Sequence, residues 1–299
     1  MVGVLIMISS AGAADWPTLR HDQRRSGASP ERLDAAALVP AWVHRPAVAP
    51  RPAWPGPARW DAYVKRPQIA SMRNYDESFH VVAAEGRVLF GSSADDAVHC
   101  LDLATGRELW AHPTGGPVRL PPTVHGGLVF GGGDDGQLWC LSAVDGSVRW
   151  HRPAAVGRLV LQDGRLVSAA PLRAGVLVDG DRVWWTAGLL PWEDSFVGCA
   201  TTSDGATTGP GTFVRAMSHA TPEGCMMLGE DHIVVTQGRA APVAIDRVSG
   251  TSRGVVPGVH GGVFALVADD GRELVGPGPR EGFFSETDAG HAAAVARKY

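Results

Sequence analysis

The feature that most restricts this chain is an internal repeat with an offset of 40 residues. Val88–Trp110 reads VLFGSSADDAVHCLDLATGRELW, and Leu128–Trp150 reads LVFGGGDDGQLWCLSAVDGSVRW. The two align without a gap. Phe90 falls on Phe130, Gly91 on Gly131, Asp95 on Asp135, Cys100 on Cys140, Gly106 on Gly146 and Trp110 on Trp150. Each copy divides into short apolar runs separated by Asp95-Asp96 and Thr105-Gly106, or by Asp135-Gly136 and Asp145-Gly146. Asp-Gly between apolar runs marks a hairpin. Strands are expected around residues 88–91, 98–102, 128–131 and 138–141. A repeated unit of roughly 40 residues with four short strands is the sequence mark of a propeller blade. The expected fold class is therefore all-β, a β-propeller of four-stranded antiparallel blades.

Three weaker copies follow. Val183-Trp184-Trp185 with Phe196 to Ala200 begins a third, Ile233-Val234-Val235 with Val243 to Asp246 a fourth, and Val263 to Val267 with Glu273 to Val275 a degenerate fifth. The closing glycines are Gly106, Gly146, Gly205, Gly250 and Gly290, spaced by 40, 59, 45 and 40 residues. The wide second interval is assigned to an insertion around Leu189 to Ser195. The outer-strand Trp is missing from the last three copies. About five repeats are recognisable, a number that leaves open a small ring, a truncated ring or an open array.

The repeats occupy residues 79–290, behind a leading segment at 15–78 and before an Ala-rich tail at 291–299. Within the leading segment, Leu38 to His44 resembles Glu108 to His112 and reads as a lone fourth strand. Pairing of Trp42 beside Phe283 and Phe284 would close the last blade and cover an open edge. Residues 1–14 run from apolar Met1–Ile8 to small residues ending at Ala13 and Ala14, which reads as the end of a secretory signal. The expected location is periplasmic or secreted. That stretch is too short to span a bilayer as a helix.

Composition agrees with this reading. The 38 Gly and 22 Pro suit many turns and short strands, and 44% hydrophobic residues supply a core. The net charge of -4 gives no reason to expect a nucleic-acid partner.

The copies resemble the pyrroloquinoline-quinone-like (PQQ-like) repeat, on Leu101-Asp102-Leu103-Ala104-Thr105-Gly106 with Leu109-Trp110. The opening Asp15-Trp16-Pro17-Thr18-Leu19-Arg20-His21-Asp22 with Arg25-Ser26-Gly27 is similar to the first segment of such proteins. The family includes quinoprotein alcohol dehydrogenases and a non-enzymatic propeller of the outer-membrane assembly machinery. The resemblance therefore implies one of two roles. The first is a non-catalytic binding or scaffolding module of the cell envelope, with envelope proteins or a small ligand as partners and no cofactor. The alternative is a quinone-dependent dehydrogenase, or a fragment of one, holding PQQ with calcium. Cofactor-binding members use an adjacent Cys-Cys disulfide and calcium-ligating carboxylates. Here Cys100, Cys140, Cys199 and Cys225 stand apart. Cys100, Cys140 and Cys199 fall on a repeated apolar strand position, where a Cys acts as a small hydrophobe. No carboxylate set can be assigned to calcium by spacing.

Other motifs read as structure. Gly131 to Gly136 matches G-x-G-x-x-G, but a strand rather than a helix follows, so it is a turn. Trp110 and Trp150 are expected to lock one blade to the next. The histidines lack zinc spacing, and no nucleophile elbow is present. Arg119 and Arg173 are the candidate site residues. Each lies in Pro-x-Arg, seven residues before Gly126 or Gly180, near the start of an innermost strand at the channel mouth. Two guanidinium groups there form a candidate anion site for a carboxylate or phosphate. The competing reading pairs them with turn carboxylates such as Asp95, Asp96 or Asp135.

Overall fold

The computed structural model describes residues 14–54, 76–256, 265–275 and 296–297, apart from 33, 35, 37, 163, 190–192, 219 and 239 and the pair 269–270. Strands account for the regular structure, and no α-helix occurs among the described residues. Strands β1 (Val81–Ala84), β2 (Arg87–Ser92), β3 (Ala97–Asp102) and β4 (Glu108–Pro113) form the first antiparallel sheet in that order. The second holds β5 (Thr123–His125), β6 (Leu128–Gly132), β7 (Gln137–Ser142) and β8 (Val148–Pro153). A two-stranded hairpin follows, β9 (Leu159–Gln162) and β10 (Arg165–Ser168). The third sheet holds β11 (Val176–Asp179), β12 (Arg182–Ala187), β13 (Ser195–Thr201) and β14 (Phe213–Met217). The fourth holds β15 (Met227–Leu228), β16 (His232–Gln237), β17 (Ala240–Asp246) and β18 (Ser252–Val255). The fifth holds β19 (Ala265–Val267), β20 (Glu273–Val275) and β21 (Ala296–Arg297). This is a β-propeller of up-and-down blades whose sheets do not close into a ring among the described residues.

The repeat alignment carries over to register. Cys100 lies opposite Trp110 and Cys140 opposite Trp150, each beside a bulge. All four cysteines are buried, and none forms a disulfide. Trp110 and Trp150 reach forward to the next blade. The Trp110 indole N–H donates to the Ala143 carbonyl (3.1 Å), and the Trp150 indole N–H to that of Thr202 (2.9 Å). Both rings lie on the glycine that ends the next blade's outer turn. Gly146 has φ +71°, and a Cβ built on it would stand 2.6 Å from the Trp110 ring. Left-handed backbone and close approach together require glycine there.

Trp42 docks the same way. Its indole N–H donates to the Leu103 carbonyl (2.9 Å), and its ring covers Gly106. Residues 38–46 form no strand, so Trp42 supplies the interlocking ring without a ladder. Phe283 and Phe284, the expected partners of this segment, lie outside the described residues, as do the signal-like residues 1–13. In the third blade Phe213 takes the ring's place on Gly250, eight residues after Gly205 rather than four. The wide interval between Gly146 and Gly205 arises mainly in two places. The β9–β10 hairpin inserted before β11 is the largest addition, and the segment 188–194 is also longer than its counterparts; the long segment 202–212 adds its extra residues after Gly205.

Candidate functional site

The first strand of each sheet faces the centre with one edge free of its own blade. Residues 16–25 run along these edges. Trp16 and Ala83 of β1 exchange backbone bonds at 2.6 and 3.0 Å. The Val124 amide of β5 donates to the Pro17 carbonyl (2.8 Å), and the Val178 amide of β11 to the Gln23 side-chain oxygen (3.1 Å). The Leu228 amide of β15 donates to the Gln23 carbonyl (2.9 Å), and the Val267 amide of β19 to that of Arg24 (2.8 Å). One short segment thus satisfies inner-edge donors in all five sheets, groups that would otherwise be costly to bury.

Arg25 lies at the middle of this hub with 1% of its surface exposed. Its Nε donates to the Met226 carbonyl (2.8 Å), and its Nη1 donates to the Thr18 hydroxyl and Leu19 carbonyl (2.8 Å each). Nη2 donates to the Val176 carbonyl (3.3 Å), and the Thr18 hydroxyl also meets Thr123 Oγ1 at 2.8 Å. Burial pulls the guanidinium pKa down to about 10, so it stays charged at neutral pH. A buried cation needs this many acceptors to offset its desolvation. The run at Arg20, His21 and Arg25 adopts positive φ, a tight winding that turns the chain in over the strand edges.

Arg119 and Arg173 sit just before β5 and β11, where the inner strands begin. Both are buried, at 3% exposure. The Arg173 fork closes on Asp134, with Nε to Oδ1 at 3.0 Å and Nη2 to Oδ2 at 2.8 Å. Arg119 closes on Asp76, with Nε to Oδ2 and Nη2 to Oδ1 at 3.2 Å each. Each arginine therefore has a carboxylate inside the protein, though not Asp95, Asp96 or Asp135. Asp134 falls on Ala94 at the 40-residue offset, so the first blade lacks the equivalent acid. Asp76, from outside the repeats, supplies it. Its Oδ2 also accepts from the Ala53 amide (2.9 Å) and the Ser93 hydroxyl (2.7 Å). Trp54 covers the second pair. Its indole N–H donates to Asp134 Oδ2 (2.8 Å), and its ring centre lies 5.9 Å from the guanidinium carbons of both Arg173 and Arg165. Arg165 pairs in turn with Asp96, whose carboxyl burial raises above the usual range against the pull of that arginine.

A second cluster, in which His232 and Glu273 are buried and Asp231 is exposed, joins the fourth and fifth blades. His232 on β16 holds Asp231 through Nδ1 (2.8 Å) and Glu273 on β20 through Nε2 (3.1 Å). The bond to Glu273 lifts the imidazole pKa above 6.5 despite burial. Sequence reading passed over Arg25 and His232. Arg25 lies outside the repeats, and His232 opens the second strand of its blade, where Arg87 and Arg182 stand in the first and third. Among the described residues, no group of three or more His, Cys, Asp or Glu is placed to hold a metal ion.

Known proteins give the context. A PQQ-repeat family model, described as outer membrane protein assembly factor BamB, matches residues 55–183. No curated protein matches the sequence. Among solved structures, the quinohemoprotein alcohol dehydrogenase of Comamonas testosteroni is similar at 17% identity and TM-score 0.57. The match covers 89% of this chain and 47% of the enzyme. BamB from Moraxella catarrhalis is similar at 14% identity and TM-score 0.45, over 64% of this chain and 57% of that one. The chain thus spans about half the length of these proteins. No helix among the described residues is long and apolar enough to cross a membrane. Residues 55–183 accordingly match the PQQ-like repeat, within a β-propeller fold.

Proposed function

We propose that this chain is a non-catalytic binding or scaffolding propeller of the cell envelope. The observation that carries the reading is the filled hub. Residues 16–25 occupy the inner strand edges, and the buried acids Asp76 and Asp134 are engaged by Arg119 and Arg173. A quinone–calcium group needs free carboxylates and, by the family pattern, a vicinal Cys pair. The donor set among the described residues does not fit it. The four cysteines are buried and form no disulfide, with Cys100, Cys140 and Cys199 on three different sheets and Cys225 just ahead of the fourth. Fold likeness to a dehydrogenase does not by itself transfer chemistry.

The test is direct. The purified chain is titrated with PQQ and Ca²⁺ while fluorescence of its 10 tryptophans and dye-linked alcohol oxidation are followed. Neither saturable quenching nor dye reduction is expected. Calcium-dependent quenching with turnover would establish the dehydrogenase reading instead. Osmotic-shock fractionation of cells carrying a tagged chain tests location, and recovery only from the cytosol would sink the envelope assignment.

A further inference from the structure

The β9–β10 hairpin is an addition to the blade pattern. The connection from β4 to β5 spans 114–122, whereas that from β8 to β11 spans 154–175 and contains the hairpin. Insertions into one repeat of an array map to one face, often the binding face.

Its two faces can be read from the register. Val160 lies opposite Val167, and Leu161 opposite Leu166. Val167 is 1% exposed, so the Val160–Val167 face packs inward. The outward face carries Leu159, Leu161 and Leu166, exposed by 62%, 73% and 63%, and Val156 beside it in the chain is 94% exposed. A strand with one solvated face normally alternates apolar and polar residues, while one covered on both faces is apolar on both. Its two central rungs, Val160–Val167 and Leu161–Leu166, have the second pattern. Of the neighbouring charges, Arg165 pairs with Asp96, and Arg158, 70% exposed, pairs with Glu193.

We infer that this leucine face is a docking surface for a second copy of the chain, packed hairpin against hairpin across a twofold axis. A face whose exposed side chains are leucines is complementary to itself, as an isologous contact requires. Four such side chains amount to several hundred Å², about the size monomers seldom leave exposed. Doubled by symmetry, the patch approaches the ~1,000 Å² at which specific interfaces begin. The inference is independent of the scaffold reading, because it concerns a face remote in sequence from the hub.

Sedimentation velocity on the full chain, from micromolar to tens of micromolar, tests it. The native chain should show a concentration-dependent dimer. Leu161→Ser with Leu166→Ser should weaken association about tenfold or more. The leucines are exposed, so circular dichroism and melting temperature should not change. In a second measurement, Leu161→Cys should give a covalent dimer on mild oxidation, since all four native thiols are buried. A native chain that stays monomeric throughout this range overturns the inference, even if it captures a different protein through the hairpin. A dimer unaffected by the double substitution overturns it equally.

Discussion

The Arg25 guanidinium donates to the Met226 carbonyl at 2.8 Å, a contact between residues 201 apart in sequence. Through it the leading segment holds the fourth blade, and through Nη2 the third. Arg25→Met should remove four donated bonds, leaving the Met226 carbonyl without its guanidinium donor while Val176 keeps the Thr123 hydroxyl. The expected loss is about 3 kcal/mol or more, read as a lower urea midpoint. Arg25→Lys should recover only part of it, because an ammonium cannot reproduce the planar fork.

The glycines under the interlocking rings give a paired comparison. At Gly146 an alanine meets both left-handed backbone and the Trp110 ring; at Gly126, with φ +58°, it meets only the former, with nothing within 4 Å. Gly126→Ala should cost about 1–2 kcal/mol. Gly146→Ala should cost more by about 1–3 kcal/mol for overpacking, measured by chemical unfolding.

Arg173 and Asp134 form a closed buried pair. Asp134→Ala alone should destabilise by about 3–5 kcal/mol, because it strands a buried cation. The double variant Asp134→Ala with Arg173→Met should be less damaged than the sum of the two single changes. Strict additivity in this cycle would argue against the pairing.

His232 sets a pH dependence. Its folded pKa is raised, chiefly by the bond to Glu273, from an ordinary value of 6.5. Its contribution is therefore full below that value and is lost as pH rises through the higher folded value. The difference in melting temperature between the native chain and His232→Gln should be largest near pH 6 and shrink by pH 8.

Burial pushes the thiols of Cys100, Cys140 and Cys199 up to about 12. The folded chain should react slowly or not at all with a thiol reagent at pH 8, and denaturant should release all four groups. Rapid labelling of any of the three in the folded state would contradict the packed-core placement.

The legible part of this molecule was the part that repeats. The identities between residues 88–110 and 128–150 gave the strands, the turns at Asp95-Asp96 and Asp135-Gly136, and the locking role of Trp110 and Trp150. Features that occur once were harder to see. Phe213 does the work of a tryptophan, but the longer connection before it moves it off the expected spacing. The β9–β10 hairpin has a Gly164 turn between apolar runs, yet it matches no repeated position, so the sequence pattern assigns the extra length to Leu189–Ser195 instead. That Arg119 and Arg173 stand just before innermost strands was legible, but their partners were not. Which of Asp134 and Asp135 turns inward depends on turn geometry, and Asp76 lies outside the pattern altogether.

The ring-on-glycine dock is directional: each of the first three blades extends an aromatic ring forward and offers a glycine backward. Trp42 to Gly106, Trp110 to Gly146, Trp150 to Gly205 and Phe213 to Gly250 are four uses of one joint. Such a joint carries no record of its position in the series. A duplicated or deleted unit meets its new neighbour through the same surfaces, so blade number can change during evolution without a new interface having to arise.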